Sequence, residues 1–195
     1  MPRFALACAG AALAGLVLAG CQSAPPAPTP TPTFTCTPEA GGDPFPCSQF
    51  QHDEMVAKDA LYAEAEAVYR RFLAEDVRIM RAGGVSEPSR EIQATAGQEF
   101  LSDVSAFYRG LRDDDARFRG GDFVLVELKR KPGLGKGGSL VAMESCVDAR
   151  TTELVKGGRP VRHGGVARDI FYFGRDAGRL KIIGADGREV ASCGS

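Results

Sequence analysis

The sequence lacks any concentrated run of basic residues. Its 24 lysines and arginines are balanced by 25 aspartates and glutamates, and the formal net charge is -1. A surface that follows a nucleic-acid backbone needs a local excess of positive charge. We therefore expect no nucleic-acid partner.

Several catalytic and cofactor motifs are also missing. The sequence has no Gly-x-Ser-x-Gly elbow, no asparagine, no Cys-x-x-Cys pair and only two histidines, His52 and His163, which are not spaced as metal ligands. Residues 133–138 fit the letters Gly-x-Gly-x-x-Gly, but the chain continues as a strand where a phosphate-binding loop needs a helix. We expect a turn there, and neither a metal nor a cofactor.

The N-terminus has the pattern of a processing signal. Residues 4–18 are uncharged and apolar, and this stretch is shorter than the roughly 20 residues that span a bilayer. The following Leu-Ala-Gly-Cys at 18–21 resembles the lipobox of bacterial lipoproteins. The resemblance implies a signal peptide over 1–20, lipidation of Cys21 and anchoring at the outer face of the cytoplasmic membrane. The alternative is a plain secretory signal in which Cys21 is incidental.

Residues 21–35 predict a tether. The stretch 22–35 has five prolines and no charge, so it has little to bury in a core. Alternating Thr-Pro favours extended polyproline II at about 3.1 Å per residue, which would hold a domain about 40 Å from the lipid. We expect one extracytoplasmic domain over 36–195.

Four cysteines remain in that domain: Cys36, Cys47, Cys146 and Cys193. An even number outside the cytoplasm indicates two disulfides, and four cysteines allow three pairings. We favour Cys36 with Cys47, which closes a short Gly- and Pro-rich loop, and Cys146 with Cys193, which would join two strands.

Hydrophobic periodicity predicts helices first and strands afterwards. Apolar residues recur at helical spacing over 48–82 and again over about 98–113. Beyond Arg117 the period changes to that of strands, predicted at 123–129, 140–147, a hairpin over 155–161, 168–174, 180–184 and 189–193. Long helices followed by a meander predict an α+β fold with an antiparallel sheet.

This order of elements resembles the nuclear transport factor 2-like superfamily, and more narrowly small actinobacterial lipoproteins of that type. The residues that carry the resemblance are Ser-Cys-Val-Asp at 145–148 and Val-Ala-Ser-Cys at 190–193, a cysteine in one strand and a terminal cysteine joined to it. The resemblance implies N-terminal helices packed on a strongly curved sheet, as a cone. The related cystatin-like arrangement remains an alternative.

Cone-shaped members of the superfamily include isomerases and dehydratases with a carboxylate in an apolar pocket. The candidates for such a role are Asp103, Tyr108, Asp148, Asp169 and Tyr172. Their positions also fit solvent-facing sites, since Asp148 and Asp169 alternate with apolar neighbours. We expect a non-catalytic domain that binds an envelope protein or a small apolar ligand. The alternative is a pocket enzyme with a buried carboxylate as base, which an apolar cavity holding Asp103 or Asp169 would favour.

Overall fold

A computed structural model describes residues 33–194 of the chain, so the predicted signal peptide, Cys21 and residues 22–32 of the predicted tether lie outside the described part. The helices of the described part are α1 (Gln49–Ala82), α2 (Arg90–Thr95) and α3 (Gln98–Asp113). Its strands are β1 (Phe34–Cys36), β2 (Phe45–Cys47), β3 (Ala116–Arg119), β4 (Val124–Arg130), β5 (Val141–Asp148), β6 (Glu153–Lys156), β7 (Arg159–His163), β8 (Val166–Asp176) and β9 (Arg179–Val190).

Helix α1 is 34 residues long and confirms the helix predicted over 48–82. The Ser48 side chain accepts a hydrogen bond from the Gln51 backbone amide, and the Gln51 side-chain oxygen accepts one from the Ser48 backbone amide. Two free backbone amides at the start of the helix are thereby paired. The helix ends at Gly83, whose φ of 87° is the left-handed conformation that glycine adopts at little cost. The buried residues of its stripe are Tyr62, Ala65, Val68, Tyr69, Phe72, Ile79 and Met80.

Helix α3 coincides with the helix predicted over 98–113. The six-residue helix α2, capped by Ser89, was not predicted, because so short a helix has too few turns to show a period. After α2 the chain turns at Gly97, whose amide donates to the Ile182 carbonyl of β9.

The strands pair entirely antiparallel within each sheet. The main sheet has the order β4-β5-β8-β9, a second sheet has the order β3-β6-β7, and β1 pairs with β2. The fold is therefore α+β, with one long helix and antiparallel sheets. The hairpin predicted over 155–161 is confirmed by β6 and β7.

Two predicted strands, 180–184 and 189–193, are in fact one strand, β9. The predicted break between them does not occur, because Gly187 pairs with Asp169 within the β8–β9 ladder. A Cβ on Gly187 would lie 2.1 Å from Asp169 Oδ1. The glycine therefore makes room for a neighbouring carboxylate.

Three short strands were not predicted. Strand β3 follows α3 and pairs with β6. It thereby belongs to a second, smaller sheet, whereas the sequence predicted one sheet. Strands β1 and β2 form a hairpin inside the Gly- and Pro-rich loop, and Phe34 and Thr35 of the predicted tether belong to it. Strands of three or four residues are too short to show a period of two.

The main core lies between α1, α3 and one face of the four-stranded sheet, which we call the inner face. Aromatic rings make its centre: Tyr69 and Phe171 have centroids 4.9 Å apart, and Phe100 meets Phe171 edge to face at 6.0 Å. Residues opposite each other on paired strands share a face, so Ser145 and Asp169 lie on this inner face as well.

The two disulfides join Cys36 to Cys47 and Cys146 to Cys193, as we expected from the sequence. Cys193 does not lie in a last strand, because β9 ends at Val190. Instead the C-terminal segment is fastened to β5, where Cys146 is fully buried. The Arg168 guanidinium also donates to the Cys193 carbonyl at 2.7 Å.

Candidate functional site

A pocket of about 270 Å³ lies between α1, β8 and the ends of strands from both larger sheets. Its lining is mainly apolar and aromatic. The residues that line it are Tyr69, Phe72, Leu73, Asp76, Met80, Phe118, Phe123, Val147, Ala149, Arg162, Gly164, Gly165, Val166, Ala167, Asp169, Phe171 and Glu189.

Two groups of aromatic side chains line the pocket. Tyr69, Phe72 and Phe171 belong to the buried core and are held by one another. Phe118 of β3 and Phe123, which precedes β4, meet edge to face with centroids 5.5 Å apart. Because the core side is closely packed, the pocket has a preformed shape at that side.

Asp76 of α1 brings a carboxylate into this apolar surrounding. The hydroxyl of Tyr108 donates a hydrogen bond of 2.8 Å to its Oδ1. Burial raises the pKa of Asp76 from its ordinary value to about 6; the Tyr108 hydrogen bond opposes the rise and the charge of Asp169 adds to it. Asp76 therefore changes its charge close to neutral pH.

Tyr108 is the residue that orients Asp76. It is fully buried on α3, across from α1. Burial, followed by the charge of Asp76, raises the pKa of its phenol, so Tyr108 remains a protonated hydrogen-bond donor. One oxygen of the Asp76 carboxylate is thus fixed by a hydrogen bond from Tyr108.

Asp169 of β8 supplies the second carboxylate. Its side chain lies over Gly187 of β9, and burial raises its pKa above the ordinary value. Directly across the strand pair lies Ser145, which is fully buried and whose hydroxyl has no hydrogen-bond partner among residues 33–194. Ser145 and Asp169 are therefore neighbouring polar residues on the inner face, and Asp169 lines the pocket.

Arg162 and Glu189 are exposed and lie at the rim of the pocket. The Glu189 carboxylate leans over Gly165, where a Cβ would lie 2.5 Å from its Oε1. Within the described part of the chain, none of Asp76, Asp169, Glu189 and Arg162 forms an ion pair. The pocket thus has three carboxylates and one guanidinium, none of which is neutralised by a neighbour.

The residues expected from the sequence are only partly brought together. Asp169 lines the pocket, which corrects its interpretation as an outward-facing position, and Tyr108 contacts the pocket through Asp76. Asp103 is exposed on α3. Tyr172 lies on the opposite face of the sheet, where its hydroxyl donates to Asp186 at 3.0 Å. Neither Asp103 nor Tyr172 belongs to the pocket.

Asp148 does not belong to the pocket either. It lies at the end of β5 and is bound by Arg150, whose Nη2 is 2.6 Å from Oδ2. The hydrogen bonds from Arg150 lower the pKa of Asp148 to about 2. This carboxylate is paired and ionised, as expected for a solvent-facing position.

The Gly-x-Gly-x-x-Gly stretch joins β4 to β5 without a helix, so it is a turn. Its lysine, Lys136, binds Asp186 at 2.6 Å and lies 5.7 Å from the centroid of the Tyr172 ring. The turn therefore covers the outer face of the sheet.

Asp76 was missed in the sequence, although a signal for it existed. It follows Phe72 by four residues and precedes Met80 by four, so it falls within the apolar stripe of α1. A charged residue in a buried stripe is unusual and needs a partner or a function.

Comparison with known proteins assigns no family: no protein-family model and no curated protein matches the chain. No helix within residues 33–194 combines the length and apolar character needed to cross a membrane. In the same residues no three His, Cys, Asp or Glu side chains are grouped as a metal site would require.

Proposed function

We propose that this chain is a lipoprotein anchored through Cys21, whose extracytoplasmic domain binds a small, largely apolar ligand in the pocket between α1 and β8. The two disulfides are compatible with an oxidising compartment. The lipobox-like residues 18–21 support the anchor. A long helix packed on an antiparallel sheet supports the resemblance to the nuclear transport factor 2-like superfamily.

The observation that carries the proposal is the pocket itself. It combines aromatic walls with two carboxylates of raised pKa, Asp76 and Asp169, in a volume of about 270 Å³. Binding sites for small molecules are concave, mainly apolar and equipped with a few convergent polar groups. A fully packed core would instead have favoured a domain that acts through its surface.

Asp76 also favours a second candidate, an enzyme of the isomerase or dehydratase type. A carboxylate with a pKa of about 6, held by Tyr108 and facing an apolar pocket, suits proton abstraction near neutral pH. In that reaction Asp76 would accept a proton from a carbon acid and Asp169 would lie beside the substrate. The ligand-binding function needs no such step, and we keep it as the first proposal.

Lipidation is tested at Cys21. We expect Cys21→Ala to abolish both signal cleavage and incorporation of radiolabelled fatty acid, because the thioether forms on this sulfur. Cys8→Ala, within the predicted signal peptide, is the matched control and should leave labelling unchanged. A Cys21→Ala chain that is still labelled would contradict the anchor.

Ligand binding is tested with the full chain in lipid nanodiscs and indole as a neutral aromatic ligand. We expect saturation-transfer NMR to detect indole above the level of empty nanodiscs. Ala167→Phe should abolish the signal, because Ala167 lines the pocket and a phenyl group would fill part of it. Ala106→Phe, on the exposed side of α3, is the control and should bind as the wild type does. Equal signals from both variants would contradict binding in this pocket.

A further inference from the structure

We infer that the ligand of this pocket is a small organic ammonium ion, an aromatic or aliphatic monoamine whose charged end lies between Asp76 and Asp169. The inference rests on the proposed ligand-binding function and adds the chemical class of the ligand. It follows from the uncompensated charge of the pocket, its aromatic faces and its volume.

The charge of the pocket favours a cationic ligand. The pocket is lined by three carboxylates, those of Asp76, Asp169 and Glu189, and by one guanidinium, that of Arg162, so negative charge is in excess. Within residues 33–194 neither Asp76 nor Asp169 forms an ion pair, and the only hydrogen bond to either of them comes from Tyr108. A carboxylate removed from water is unfavourable unless it is paired. An ammonium group supplies both the opposite charge and three hydrogen-bond donors. Binding of an ammonium ion would therefore offset part of the free-energy cost of burying these carboxylates.

The aromatic lining of the pocket also favours an organic cation. Tyr69, Phe72 and Phe171 line the same pocket as the carboxylates. Aromatic faces carry negative electrostatic potential and attract cations, most strongly where water is displaced. The same faces bind the apolar part of an amine, so one molecule would interact with both the carboxylates and the aromatic side chains.

A metal ion fits the pocket less well than a small organic cation does. A metal ion such as calcium takes six to eight oxygen ligands, and no group of three potential metal-ligating side chains occurs in residues 33–194. A volume of about 270 Å³ corresponds to roughly nine water molecules at about 30 Å³ each. A monoamine with about nine non-hydrogen atoms matches that space, whereas a peptide does not.

Binding of the ammonium ion should depend on pH through Asp76. The charged or titratable groups that face it are Tyr69 on its own helix, Tyr108 from α3, Asp169 from β8, Arg162 from β7 and Glu189 from β9. Of these, Tyr69 and Tyr108 have raised pKa values and stay neutral. Protonation of Asp76 near its pKa of about 6 removes one of the two negative charges that attract the ligand. Affinity should therefore fall as the pH is lowered from 7.5 to 5.

The experiment compares three ligands of similar size: 2-phenylethylamine, 2-phenylethanol and phenylacetate. Each is titrated by saturation-transfer NMR into the full chain in nanodiscs at pH 7.5, with empty nanodiscs as the reference. We expect the amine to bind at least tenfold more tightly than the alcohol and the carboxylate to bind least. Lowering the pH to 5 should reduce the preference for the amine severalfold.

Matched variants locate the charge that is responsible. Asp76→Asn and Asp169→Asn should each remove most of the preference for the amine and leave alcohol binding within about twofold, because the shape of the pocket is kept. Asp103→Asn changes an exposed carboxylate of α3 and should have no effect.

The outcomes separate this inference from the proposed function. Equal affinity for amine and alcohol, preference for phenylacetate, or an amine preference that survives both variants would overturn the ammonium ligand while leaving a binding pocket. Failure of all three ligands and of indole to bind would overturn the binding pocket itself.

Discussion

Serine in place of Cys193 is expected to lower the free energy of unfolding by about 4 kcal/mol. The bond to Cys146 closes a separation of 47 residues, and the loop-entropy relation gives about that loss for a loop of this length. Because Cys193 lies beyond β9 and its carbonyl accepts from Arg168, the loss should begin at the end of β9. Chemical denaturation measures the free energy, and hydrogen exchange should show faster exchange near Val190 while α1 stays protected.

The Cys36–Cys47 disulfide is the internal control for this prediction. It spans a separation of only 11 residues, so Cys47→Ser should cost about 1 kcal/mol less than Cys193→Ser. Its exchange changes should be confined to the β1–β2 hairpin. A Cys193→Ser protein as stable as the wild type, or a peptide map joining Cys146 to Cys36, would contradict the assigned role of the longer bridge.

Asparagine in place of Asp76 is expected to raise the free energy of unfolding at pH 7.5 by about 3 kcal/mol. The pKa of Asp76 is about 6 in the folded chain and near 3.9 when unfolded, and each unit corresponds to about 1.4 kcal/mol. Between these values the folded state binds more protons, so the contribution of Asp76 to stability falls as the pH rises from 4 to 6. Asparagine carries no charge and still accepts the Tyr108 hydrogen bond.

The measurement is denaturant unfolding of the wild type and Asp76→Asn at several pH values. The two curves should converge near pH 4 and separate above pH 6, with the variant the more stable. Asp103→Asn, at an exposed position, should follow the wild type throughout. A variant that is less stable at pH 7.5 would show that the ionised carboxylate is well accommodated and that its pKa is not raised. A gain would mark Asp76 as a residue kept for function at the expense of stability.

Periodicity predicted the long elements because they bury one regular face. Helices α1 and α3 have nearly their predicted bounds, because each has an apolar stripe at helical spacing. In α1 the capping residues Ser48 and Gly83 also mark the two ends of that stripe. Short elements such as α2 and β3 were not predicted, because a segment of three to six residues is too short to show a helical or a strand period. The break predicted inside β9 was wrong because a glycine that admits a neighbouring side chain has the same letter as one that forms a turn.

The residues of the pocket were predicted less well than the long elements. Asp169 was a candidate, yet its alternation with apolar residues was interpreted as exposure, because in a strand the sequence does not say which face a second layer covers. Tyr172 was placed in the pocket although its hydroxyl lies on the outer face with Asp186. Asp103 and Asp76 both lie on amphipathic helices, and only the position of Asp76 within the stripe distinguishes them.

The sequence by itself determined the α+β class, the two main helices, the even set of cysteines and the lipobox-like pattern on which the proposed location rests. These depend on neighbours along the chain, whose spacing the sequence states directly. Only the tertiary structure decided that Asp76 and Asp169, 93 positions apart, share one apolar pocket behind which Tyr108 donates a hydrogen bond. The burial of these two carboxylates arises from the packing of α1 against β8 and α3. No local pattern in any one of these segments shows which residues of the others will lie next to it.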